Sequence, residues 1–97
     1  MEALTKETIA ELKKKHGELF KITVEDKSCI LRKPTRKELS YASVAGKDDP
    51  LKFNEVLLNA CWLAGDEELR SDDTLFLSVT SRMGELVEVK KAELEKL

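Results

Sequence analysis

The stretch Asp48–Gly65, DDPLKFNEVLLNACWLAG, has the best-marked borders in the chain. Asp49 suits a helix N-cap, and Pro50 suits the first helical position, where a missing N–H costs nothing. Gly65 stands where a helix stops in the left-handed conformation. The spacing predicts one helix over Pro50–Ala64, about 22 Å long at about 1.5 Å per residue. On a helical wheel Phe53, Val56, Leu57, Ala60, Cys61, Leu63 and Ala64 share one broad face, the width of a stripe packed on a core. Leu51, Leu58 and Trp62 fall nearly opposite. A helix apolar on two sides is either central in its own domain or leaves one side for a partner. Burying Leu58 or Trp62 is worth about 1.5–3 kcal/mol each, so the second face is expected to be covered.

Upstream, Lys47–Asp49 is a short link, which favours an antiparallel or sharply crossed helix pair. Thr35-Arg36-Lys37-Glu38 fits a capping box, in which each side chain satisfies the other's backbone N–H. It opens a helix through Ala45, with Leu39, Ala42 and Ala45 as a stripe flanked by Tyr41 and Val44, and Gly46 as its stop. Glu18–Lys33 has a period of two, the mark of strands. With Asp26-Lys27 as the loop, Val24 faces Cys29 and Ile22 faces Leu31 on one buried side, while Lys21 and Arg32 pair on the wet side. A lone hairpin is marginal, so it must lean on the helices. Met1–His16 reads as a short, peripheral amphipathic helix capped by Thr5. Its cationic end, Lys13–His16, complements the helix dipole.

Downstream, Asp66–Arg70 reads as an acidic loop, and Ser71 or Asp72 caps a last helix. Leu75, Leu77 and Val79 alternate like a strand. Phe76, Val79, Met83, Leu86, Val87 and Leu94 keep helical spacing, and this predicts one helix from about Asp73 to Glu95 despite Gly84. The expected fold is α+β and mostly helical. An N-terminal helix and an antiparallel hairpin (about 18–33) precede three helices (about 36–45, 50–64 and 73–95), which form a small bundle against the hairpin.

The 97 residues make one domain, 41% hydrophobic and 37% charged. No apolar run has the length of a transmembrane helix or signal peptide, so a cytoplasmic protein is expected. Cys29 and Cys61 lie in apolar stretches and are expected to be buried, reduced thiols. The net charge of −2 is uneven. Residues 1–47 hold 11 Lys and Arg against 7 Asp and Glu, and residues 48–97 hold 6 against 12. Such polarity suits head-to-tail self-association or an oriented approach to a charged partner, unless the halves neutralise each other within the fold.

Catalytic equipment is scarce. The one His, His16, sits among lysines, and no CxxC, P-loop or GxGxxG occurs. The acids at 66–73 lack the spacing of an EF-hand. The chain is expected to be no enzyme and to need no metal or cofactor. A nucleic-acid reading rests on Lys21, Lys27, Arg32, Lys33, Arg36 and Lys37 around the hairpin. Against it stand a pI near 5.5 and the polar face of helix 50–64, with Lys52, Asn54, Glu55 and Asn59.

The order of features resembles the small tail assembly chaperones of long-tailed bacteriophages and prophages. The likeness covers about residues 18–97. Its marks are Arg32-Lys33-Pro34, the DPLKFNE stretch at 49–55, Cys61-Trp62-Leu63 with GDEE at 65–68, and Asp72-Asp73 before Leu75-Phe76. The turn Asp26-Lys27 lacks the glycine expected there. The resemblance implies a non-enzymatic chaperone of the host cytoplasm, absent from the finished virion, that binds the tape-measure protein and in some cases the tail-tube subunit. In some members a frameshift yields a longer form. On this reading Leu51, Leu58, Trp62, Phe76 and Met83 are the contact candidates, although ordinary core is the stronger reading of Phe76 and Met83. Lys21, Arg32, Lys33, Arg36 and Lys37 form a charged encounter patch. The alternative is a small nucleic-acid-binding or regulatory helical protein using that basic region.

Overall fold

The computed structural model describes residues 6–86 and 92–97. Its elements run α1 (Lys6–His16), β1 (Leu19–Val24), β2 (Lys27–Arg32), α2 (Arg36–Ala45), α3 (Pro50–Cys61), β3 (Trp62–Gly65), α4 (Glu68–Ser71), α5 (Asp73–Thr80) and a 3-10 turn over Met83–Leu86. The α+β class, the hairpin and the starts of the three later helices match the sequence expectation. The expected cap Thr5 lies outside the described residues.

The helix starts follow from local chemistry. The Thr35 hydroxyl accepts from the Glu38 N–H at 3.1 Å, and the Glu38 carboxylate accepts from the Thr35 N–H at 2.9 Å. Asp49 accepts from the N–H groups of Leu51 and Lys52. Of the two residues expected to cap the last helix, Asp72 does so, accepting from Leu75 at 3.0 Å.

The sheet corrects the hairpin register. The loop is Glu25-Asp26, not Asp26-Lys27, and the pairs are Val24↔Lys27, Ile22↔Cys29 and Phe20↔Leu31. A slip of two residues leaves every side chain on its expected face. Lys21 sits opposite Ile30, and Arg32 opposite Leu19, so the expected Lys21–Arg32 pair does not form. The opposite face is also drier than expected. Ile30 is buried, because β2 is the central strand of three and is covered on both sides. Glu25 adopts φ 57 in the turn, the conformation for which the sequence lacks a glycine.

The helix expected to reach Ala64 ends at Cys61. Trp62 takes φ −67 and ψ 126, and the chain passes directly into β3. This strand pairs antiparallel with β2 (Cys29↔Gly65, Ile30↔Ala64, Leu31↔Trp62), with Leu63 the extra residue of a bulge. A short apolar run such as WLAG serves a buried strand as well as a helix end. Here the unpaired edge of β2 decides, since its backbone groups need partners. Gly65 is no helix stop. At φ 141 it lies so close to β2 that a Cβ would stand 2.5 Å from the Cys29 Cα.

The long last helix is also corrected. α5 stops at Thr80, where the Ser78, Thr80 and Ser81 hydroxyls donate to the carbonyls of Thr74, Leu77 and Ser78. Such back-bonding competes with a continuing helix. The 3-10 turn follows, residues 87–91 lie outside the description, and residues 92–97 carry no regular structure. Leu94, expected on the helix's apolar face, is fully exposed. The expected acidic loop contains α4, held by the buried Leu69.

The core joins Ile22, Cys29 and Leu31 of the sheet to Ala42 of α2, Leu57, Leu58 and Cys61 of α3, Leu69 of α4, Val79 of α5, and Met83 and Leu86 of the turn. α1 buries no residue and contacts the other face of the sheet, where Ile9 and Ile30 share a depression. Both cysteines are free and buried, and burial pushes each thiol up to about 11.

Candidate protein-binding groove

The two apolar faces expected of helix 50–64 resolve unequally. Leu57, Leu58 and Cys61 all point into the core, so the buried stripe runs between the two faces drawn on the wheel. Leu58 is 1% exposed and Met83 2%, so neither is a surface contact. Leu51 remains 53% exposed. Trp62 and Phe76 are half-buried.

Leu51 and Phe76 come together along a groove of about 510 Å³ between α3 and α5, with Leu58 at its floor. Leu77 also lines it and is 51% exposed. The groove thus has an apolar base that neither helix covers. Trp62 does not line it. Arg70 does, and its guanidinium lies over the Trp62 ring, 4.1 Å from the centroid. Arg70 also donates to the Glu67 carboxylate and, at 3.3 Å, to Asn59. The guanidinium thus stacks on the indole and is hydrogen-bonded to the Glu67 carboxylate at the groove's edge, where cation–π attraction is worth about 0.5–1 kcal/mol at exposed sites.

The expected charged patch separates into free and committed cations. Arg32 is committed. Its guanidinium grips the Glu38 carboxylate through two bonds of 2.8 and 2.6 Å, and donates to the carbonyls of Ala60 at 2.7 Å and Lys33 at 3.1 Å. One side chain therefore ties the end of β2 to the start of α2 and the last turn of α3. The pair is three-quarters covered, and the Arg32 hydrogen bond holds the Glu38 carboxyl down at about 2. Lys33 pairs with Glu18 at 3.3 Å. Lys21, Arg36 and Lys37 are exposed. Arg36 and Lys37 border an open depression on α2 with Tyr41 and Val44, which are 68% and 76% exposed. Lys27, the sixth basic residue near the hairpin, pairs with Asp26 and Glu68. A nucleic-acid surface built on these six would lose half of them to partners within the fold.

The acidic segment after β3 has structural work as well. Asp66 accepts from the Ser28 N–H at 3.0 Å, and its own N–H donates to the Ser28 carbonyl at 3.0 Å. Among the described residues no three His, Cys, Asp or Glu side chains gather as a metal site. No helix there is long and apolar enough to cross a membrane.

Sequence reasoning missed Leu77, Arg70, Tyr41 and Val44 as surface features. Tyr41 and Val44 were detectable, since i, i+3 spacing puts them together on the side of α2 away from Ala42. Leu77 was hidden by the assumption of a long helix, and Arg70 by its place in an apparent loop. Comparison with family models, with curated proteins and with solved structures finds no match.

Proposed function

We propose that this protein is a non-enzymatic tail assembly chaperone of a long-tailed bacteriophage or prophage. It holds a helical segment of the tape-measure protein in the host cytoplasm until tube subunits polymerise around it, and the tail-tube subunit is a second candidate client. The observation that carries the reading is the groove between α3 and α5, where Leu51 and Leu77 are half-exposed around a closed hydrophobic floor. An amphipathic helix laid into such a groove buries its apolar face against preformed walls.

The residues that carry the family resemblance are placed in keeping with this role. Asp49 and Pro50 start the helix that forms one wall, and Asp72 caps the helix that forms the other. Arg32 and the Cys61–Gly65 joint brace the first wall against the sheet. Client contact then falls to Leu51, Phe76 and Leu77, with Leu58 as support beneath.

Co-expression with a tape-measure fragment tests the proposal. A stable complex is expected, and L51Q/L77Q should abolish it while leaving the melting temperature within a few degrees. Absence of any complex at about 50 µM protein would refute it. Retardation of DNA or RNA with a steep salt dependence would favour a nucleic-acid role instead.

A further inference from the structure

We infer that the groove between α3 and α5 selects a basic amphipathic helix: apolar anchors at i, i+3 or i+4, and i+7, flanked by Lys or Arg. This rests on the client-binding role proposed above and adds the chemistry of the client.

The argument is charge complementarity. Five charged side chains line the groove, and three are acidic: Asp49, Glu55 and Asp73. Both cations are already engaged. Lys52 pairs with Glu55 at 3.5 Å, and Arg70 is held by Glu67 and stacked on Trp62. Asp49 and Asp73 have no cation against them among the described residues. Asp48 and Asp72, next to them in sequence, are exposed and extend the negative field. Asp49 comes from the start of α3 and Asp73 from the start of α5, so the negative charge comes from both walls.

Capping explains why acids begin these helices, yet it does not require a charge. Asn caps as well as Asp, so the charge can be removed with the cap kept. An acidic helix entering the groove would meet the exposed, unpaired carboxylates of Asp49 and Asp73 at its rim, a repulsion felt at low salt and screened at high salt. A basic one would complete them. Rim charges of this kind act mainly on encounter rate and partner choice, as a chaperone that must pick one segment from a long chain requires.

The test uses the full-length protein and two synthetic helical peptides of about 14 residues, about 21 Å long at 1.5 Å per residue. Both carry the same Leu and Phe anchors. One is flanked by Lys, the other by Glu, and neither contains Trp. Binding is read by calorimetry and by the fluorescence of Trp62. The Lys-flanked peptide should bind about tenfold tighter at low salt, with the gap closing at about 0.5 M salt. D49N/E55Q/D73N, checked for folding by circular dichroism, should erase the preference while retaining the weaker binding. Equal binding of the two peptides, tighter binding of the Glu-flanked one, binding of neither, or a preference that survives in the triple variant would overturn the inference. If the peptides bind alike while a tape-measure fragment still co-purifies, the charge preference alone falls. If no tape-measure fragment co-purifies and the Lys-flanked preference stands, the groove keeps its chemistry and the phage assignment falls.

Discussion

The Arg32–Glu38 pair makes a pH dependence that can be worked from the structure. The Glu38 carboxyl is held at about 2 against an ordinary 4.5, first by the Arg32 hydrogen bond and then by the Thr35 contacts. At about 1.36 kcal/mol per pKa step, that gap bounds the contribution at roughly 3 kcal/mol. A charge-assisted bidentate pair contributes about 1.5–3 kcal/mol by other routes, so about 2 kcal/mol is expected. The folded value lies below the unfolded one. The stability is therefore fully present above about pH 4.5 and is lost as the pH falls towards about 2. The control is E38Q, which keeps the capping box, since Gln serves there too, but cannot ionise. Urea unfolding followed by Trp62 fluorescence should find E38Q about 2 kcal/mol less stable than the parent at about pH 6, and equal to it near pH 2. Other carboxylates titrate in both proteins and cancel. Parallel stability curves across that range would refute the reasoning.

Four further outcomes follow from the same geometry. G65A should cost at least about 3 kcal/mol, since a Cβ would stand 2.5 Å from the Cys29 Cα on a backbone of φ 141; thermal unfolding checks it. E25G should stabilise by about 0.5–1 kcal/mol, because relieving the left-handed φ of 57 outweighs the added chain entropy. L58A should cost about 3 kcal/mol or more, whereas L77Q, at a half-exposed position, should stay within about 0.5 kcal/mol; a loss of stability from L77Q as large as that from L58A would remove the groove. Cys29 and Cys61, buried with their thiols pushed up to about 11, should react with a thiol reagent at about pH 8 only at the rate of unfolding.

What the sequence revealed, it revealed through local chemistry. Capping residues Thr35, Asp49 and Asp72 act within their own first turn, so they are readable one at a time. The alternation of Phe20, Ile22 and Val24 fixed the faces of the hairpin, though not its register, because a shift by two leaves the pattern intact. The failures were decisions made by distant partners. Trp62–Gly65 is apolar whether helix or strand, and only β2, some thirty residues away, settles it. The C-terminal segment kept helical spacing past Thr80, but its Ser and Thr hydroxyls turned back on their own backbone. Of the contact candidates marked by periodicity, Leu51 and Phe76 line the groove, while Leu58 and Met83 took the core alternative that the same periodicity left open. Arg32 was read as a free charge because nothing local announces that its partners are Glu38 and the Ala60 carbonyl.

The passage from α3 to β3 leaves no spare residue. A helix turns about 100° per residue, whereas a strand reverses face at every one. An extra residue inserted between Cys61 and Trp62 must either swing Leu57 and Leu58 off the hydrophobic floor or turn Ala64 to the wrong side of β2. A change of chain length is expected to cost less at a loop between elements, such as Lys47–Asp49. The spacing between the α3 wall of the groove and the sheet is thus set by the Cys61–Trp62 joint rather than by a loop.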